Sequence, residues 1–280
     1  MSTSPFLRNR QTKLAAAAGK AAQAGIPQPP AEDSEAGQEY AVLKVRLDDC
    51  LRKLADVASH EARLPMKAEF LAAFRPWVDG VIEADAPVQD DILLTSLVWA
   101  IDVGDFTRAV QLGGFALKHG LAMPERYNRS VACFLREDIA QVEIDAPGKV
   151  PLDLLGRIDE LTADADMPDQ AKAKLHKALG RAWAAKADAF DPADDQAPAG
   201  GAAAYVGQAL DQLRRGLALD KKVGVKKDIE RLERRQRQLR EEAAANGAGD
   251  ADNDETEQQA GDSDAGDETE QQAGDDAGQQ

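Results

Sequence analysis

Four aspartates bracket one apolar segment of this chain. Asp90 and Asp91 stand at the head of Q-D-D-I-L-L-T-S-L-V-W-A-I-D-V-G-D-F (residues 89–106), and Asp102 and Asp105 stand at its foot. Convergent carboxylates can hold two divalent metals about 4 Å apart and cut phosphodiesters. The same residue types also punctuate helices. An aspartate ahead of I-L-L can accept free backbone N–H groups for about 1 kcal/mol, and Asp105 can do so for a following helix. Gly104 suits a left-handed helix end. Asp102 is explained least, because a negative charge near a helix C-terminus is unfavourable. Head and foot of the segment lie roughly 16 Å apart on a helix, too far to share one metal pair by themselves. Capping is therefore the preferred reading. A divalent-metal nuclease site on Asp90, Asp91 and Asp102 is kept as the alternative.

Little else has the spacing for chemistry. His60, His119 and His176 stand alone, and Lys118-His119-Gly120 reads as a helix C-terminus. Cys50 and Cys133 are isolated and suggest neither a disulfide framework nor a zinc site. D-A-D-M-P-D (164–169) starts like a calcium loop but has an aspartate where the glycine turn belongs. No glycine-rich phosphate loop follows a strand. No catalytic residue, metal ligand or cofactor is assigned to this chain.

The charges are distributed unevenly. The formal net charge is −16, and residues 241–280 contain fourteen Asp or Glu, no Lys or Arg and no large apolar residue. D-E-T-E-Q-Q-A-G-D occurs there twice, from Asp254 and from Asp267. Such a segment cannot bury enough apolar area to offset its ordering entropy, so 243–280 is expected to be a disordered acidic tail. Without the tail the body is close to neutral, and the acidic composition does not exclude a nucleic-acid partner. Residues 1–37 read as a basic, Pro/Ala-rich flexible arm carrying Arg8, Arg10, Lys13 and Lys20. Such an arm suits phosphate contacts, or is simply a solvated terminus. Lys221, Lys222, Lys226 and Lys227 form a second basic cluster and the rival DNA-contact candidate. No run approaches the roughly 18 apolar residues of a membrane span, and the chain reads as cytosolic.

The elements that would carry these residues are helical. From about 38 to 242, apolar residues recur at three and four rather than at two. The fold class is all-α: a multi-helix bundle of hairpins over 38–220, a coiled-coil-like or docking helix over 221–242, and disordered ends. Tyr40, Leu43, Leu47, Cys50, Leu54 and Val57 form a heptad-like seam, which makes Leu43, Leu47 and Leu54 candidates for homo-oligomer contacts. Pro76 is expected to kink or restart a helix. Met123-Pro124-Glu125 and Met167-Pro168-Asp169 read as helix starts with proline in the first position. Residues 104–118 and 204–219 each look like the second half of a helical hairpin, so a tetratricopeptide-like adaptor without DNA binding stays open.

Five phrases go further as a set: F-R-P-W-V-D-G-V-I-E (74–83), residues 89–106 above, A-L-K-H-G-L-A-M-P (116–124), T-A-D-A-D-M-P-D-Q-A-K-A-K-L-H-K-A-L-G (162–180) and V-K-K-D-I-E-R-L-E-R (225–234). Together they resemble the small terminase subunit of tailed bacteriophages, the type also called the terminase endonuclease subunit. The resemblance covers about residues 38–240. It implies binding of double-stranded viral DNA at a packaging site, a homo-oligomer, and the cytoplasm of the bacterial host. It also implies a large-subunit partner that supplies ATP hydrolysis, divalent metal and the nuclease centre. The acidic tail is not part of the family pattern.

Overall fold

A computed structural model describes residues 4–21, 27–191 and 200–257. Ten helices run through them: α1 Pro5–Ala21, α2 Glu35–Ala55, α3 His60–Ala84, α4 Asp91–Val103, α5 Phe106–Lys118, α6 Val131–Asp145, α7 Leu152–Leu161, α8 Asp169–Asp188, α9 Gly201–Leu219 and α10 Lys226–Glu257. Among the described residues there is no strand, only an isolated bridge between Gln28 and Val88. The all-α architecture is as expected.

The helix α4 is the hub. Every residue from Ile92 to Ile101 is buried, and a helix that is apolar all round belongs in the interior. Around it pack Leu43 and Leu47 of α2, Phe74 and Trp77 of α3, and Leu112 of α5. A second, smaller core joins α8, α9 and α10, with Ala184, Val206, Leu213, Val225 and Leu232 at its centre. The helix α8 serves both cores. Leu175 and Leu179 face the first, and Ala173, Ala184 and Ala187 face the second. Its Gly180 lets α9 come close, since a Cβ there would fall 2.5 Å from Leu213 Cγ.

Several expectations are corrected. The seam on α2 is not an outward face. Leu43, Leu47 and Leu54 are 2%, 0% and 7% exposed and pack into this chain's own core, while Val42 and Val45 on the outer side are 65% and 68% exposed. Residues 5–21 are not a flexible arm but a helix docked on α3. Ala15 is fully buried, and Gly80 makes room for it: a Cβ at Gly80 would fall 2.3 Å from the Thr12 carbonyl oxygen. The helix α3 runs through Pro65 and Pro76 without a break. Pro124 does not start a helix; α6 starts at Val131, capped by Ser130 accepting from the Cys133 N–H. The seam of Val225, Ile229 and Leu232 docks on α9. Beyond Leu239 the helix continues to Glu257, into the segment expected to be disordered. Its E-E-A-A-A entry consists of strong helix formers. Residues 258–280 lie outside the described residues.

Candidate functional site

Each aspartate of the 89–106 segment has a structural partner. Asp90 is fully buried. Its Oδ1 accepts the Ile92 and Leu93 N–H groups at 2.7 and 3.0 Å, and its Oδ2 accepts the Trp77 indole N–H at 2.6 Å. Burial pushes the Asp90 carboxyl above its ordinary range, against the pull of those three donors. Asp91 accepts from Lys44 Nζ at 2.5 Å, and its backbone N–H donates to the Tyr40 hydroxyl at 3.1 Å. Asp102, unexplained by capping, accepts from Lys67 Nζ of α3 at 2.6 Å. Asp105 caps α5 by accepting the Arg108 N–H, and Gly104 closes α4 with φ 82°. With three donors already on its two oxygens and no solvent access, Asp90 cannot turn toward a metal without unmaking its cap. Among the described residues no group of three or more His, Cys, Asp or Glu could hold a metal ion.

The basic candidates divide. Arg10 is turned onto α2, where it pairs with Glu35 at 3.3 Å and Glu39 at 3.2 Å. Lys13 is exposed, Arg8 reaches a groove against α3, and the side chain of Lys20 lies outside the described residues. Lys221, Lys222, Lys226 and Lys227 are all exposed. They surround the turn that enters α10, held by Gly224 at φ 78° and by Lys177 Nζ donating to the Val223 carbonyl at 3.0 Å. Among the described residues none of the four lies within ion-pair distance of an acid.

Two groupings escape a linear reading. Arg8, Arg75 and Arg108 come from α1, α3 and α5 and line one groove of about 770 Å³. Arg136 of α6 is 3% exposed and donates to Thr162 Oγ1 at 2.9 Å and Asp159 Oδ1 at 2.5 Å in the α7 region. Its Nη2 also lies 3.2 Å from His176 Nε2, and His176 Nδ1 lies 2.7 Å from Gln212 Oε1. A guanidinium can only donate, so Nε2 accepts, Nδ1 carries the proton, and the imidazole is neutral. Desolvation holds its pKa below the ordinary 6.5, with Asp159 opposing and Arg136 and Arg215 reinforcing the shift. Nothing in the sequence marked this network, because the burial of Arg136 is set by the packing of α6 against α7 and α8.

The fold and these sites define an all-α helical protein in which Asp90, Asp91, Asp102 and Asp105 serve as helix caps and ion-pair partners. Comparison with known proteins carries the class further. The phage small terminase subunit family matches residues 44–170, from within α2 to the first two residues of α8. The terminase endonuclease subunit of Escherichia phage P2 is 38% identical over 198 residues, covering 70% of this chain and 73% of that protein. The probable terminase endonuclease subunit of Haemophilus phage HP1 is 27% identical over 104 residues, 37% of either chain. No solved structure matches. This chain belongs to the phage small terminase subunit family, and its role is in the phage terminase. No helix among the described residues is long and apolar enough to cross a membrane.

Proposed function

We propose that this subunit binds double-stranded phage DNA at the packaging site and, as a homo-oligomer in the host cytoplasm, presents it to a large subunit. That partner supplies the ATPase, the divalent metal and the nuclease centre. One observation carries the DNA reading. Residues 221–240 contain nine Lys or Arg against three Asp or Glu, and Lys221, Lys222, Lys226 and Lys227 stand exposed at the head of α10. Unpaired surface cations release counterions when they meet phosphates, which is the main source of affinity for duplex DNA. The relatives are named endonuclease subunits, and we take cutting to be a property of the assembled complex. Asp90, Asp91 and Asp102 support that division, because caps and ion pairs already occupy them.

The test is duplex binding across a salt series. Changing Lys221, Lys222, Lys226 and Lys227 together to Gln should flatten the log–log salt slope by about three to four, at roughly −0.9 per phosphate contact. Unchanged affinity and slope would remove the assignment. Native mass measurements on the same samples test the oligomer; a monomer at micromolar concentration would count against it. Metal-dependent cleavage by the purified chain, lost in Asp91→Asn with Asp102→Asn, would establish the nuclease alternative instead.

A further inference from the structure

We propose that the outer face of α2 packs antiparallel, about a two-fold axis, against the same face of a second copy of this chain. The assignment rests on the homo-oligomer reading above and is independent of DNA binding.

Five large apolar side chains stay exposed among the described residues: Phe6, Leu7, Val42, Val45 and Leu64. Four of them share one edge of the molecule. Tyr40 packs on Trp77 and Arg46 lies over the Phe74 ring, so α2 runs antiparallel to α3. Thr12 Oγ1 donates to the Pro76 carbonyl and Gly19 abuts Ala84, so α1 follows α3 in the same direction. The helix α1 is therefore antiparallel to α2. With Arg10 held on Glu39, the turn carrying Phe6 and Leu7 lies beside Val42 and Val45. Single exposed apolar residues are ordinary, but a contiguous group marks an interaction surface.

The order of residues on this face says what covers it. Glu35, Gln38, Val42, Val45, Asp49 and Arg52 follow the alternating 3–4 spacing of a coiled-coil seam. Asp49 is half-buried and the other five are exposed. In an antiparallel pair centred between Val42 and Val45, each position meets a complement on the second copy. Val42 meets Val45, the Gln38 amide meets the Asp49 carboxylate, and Glu35 meets Arg52. A two-fold axis makes each of these contacts twice. A parallel pair would set Glu35, Asp49 and Arg52 each against its own copy, and three like-charge layers disfavour that orientation. Within one chain Arg52 reaches only Asp49, at 3.6 Å, which leaves its guanidinium free to turn to the opposite Glu35. Phe6 and Leu7 border the same pairing and widen its apolar area.

The experiment is sedimentation equilibrium of the full chain from about 1 to 100 μM, a span that brackets weak, reversible contacts. Val45→Glu changes a side chain that is 68% exposed, so the helical circular dichroism should stay that of wild type. Self-association should weaken about tenfold or more, because each copy would press a carboxylate against Val42 of the other. Cysteine pairing reads the orientation. Val42→Cys chains mixed with Val45→Cys chains should oxidise to the mixed dimer in excess over either self-linked dimer. Cys50 and Cys133 are buried and should add little background. If the wild type associates and Val45→Glu associates equally well, this face is overturned while the homo-oligomer reading survives on another surface. Self-linked dimers in excess of the mixed one overturn the antiparallel pairing. A wild-type chain that stays monomeric across the whole range overturns both readings and leaves the face to a different protein.

Discussion

The indole N–H of Trp77 donates to Asp90 Oδ2 from 2.6 Å, inside the core and away from water. The bond ties the middle of α3 to the N-cap of α4, so one carboxylate both starts the central helix and fixes its neighbour. Asp90 Oδ1 serves the helix and Oδ2 serves the tryptophan.

Asn normally replaces Asp as a cap at little cost, yet Asp90→Asn should be destabilising here. In either orientation its amide N–H₂ faces another donor, Trp77 or the Ile92 and Leu93 N–H groups. Leaving buried donors unpaired costs about 1–3 kcal/mol, partly offset by the relief of a buried charge. Denaturant midpoints for Asp90→Asn, Trp77→Phe and the pair should show non-additivity. Strict additivity would mean that the bond does not couple the two helices.

On α2, neighbouring residues should answer oppositely. Leu47 is fully buried and Val45 is 68% exposed. Leu47→Ala should cost about 2–5 kcal/mol, and Val45→Ala less than about 0.5 kcal/mol. Thermal melts of the two variants decide whether the seam is core or interface. A folded, dissociated Leu47→Ala monomer of wild-type stability would restore the interface reading.

Gly80→Ala should loosen α1 and leave the rest folded. The new Cβ would fall 2.3 Å from the Thr12 carbonyl oxygen and 2.8 Å from Ala15 Cβ, and the helix must move to make room. Hydrogen exchange over residues 5–21 should speed up while α4 keeps its protection, and trypsin should cut sooner at Arg8, Arg10 and Lys13. Unchanged exchange in α1 would contradict the docking described above.

Acid should weaken the fold through His176. Its folded pKa lies below the ordinary 6.5, so the unfolded chain takes up the proton first. The stabilisation is fully present above about pH 6.5 and declines as pH falls from there toward the folded pKa. The imidazole faces Arg136 Nη2 and Gln212 Oε1, with Asp159 and Arg215 near enough to act on it. Urea midpoints between pH 7.5 and 5 should fall in the wild type and fall less in His176→Gln. Equal pH dependence in both would locate the titration elsewhere.

Removing residues 243–280 deletes twelve of the fourteen tail carboxylates. Non-specific duplex affinity should rise, most at low salt where screening is weakest. Affinity equal to wild type at every salt concentration would leave the tail without a part in DNA binding.

Sequence alone determined what local chemistry determines. The period of three and four gave helices, and Asp90, Gly104 and Asp105 were readable as α4 and α5 termini because a cap is satisfied within a few residues of chain. The charge of 241–280 and the family phrases were equally plain. Tertiary structure decided everything that depends on which face meets which. Periodicity shows that α2 has an apolar seam, but α3 and α4 cover it, and no spacing on one helix says whether its partner lies in the same chain. Asp102 stayed unexplained until α3 brought Lys67 to it, 35 residues away. Arg10 looked like a DNA contact until α1 docked and gave it Glu35 and Glu39. Arg8, Arg75 and Arg108 share a groove only because three helices cross there. Electrostatic and hydrogen-bond partners act over a few ångströms of space, and sequence separation carries almost no information about that distance.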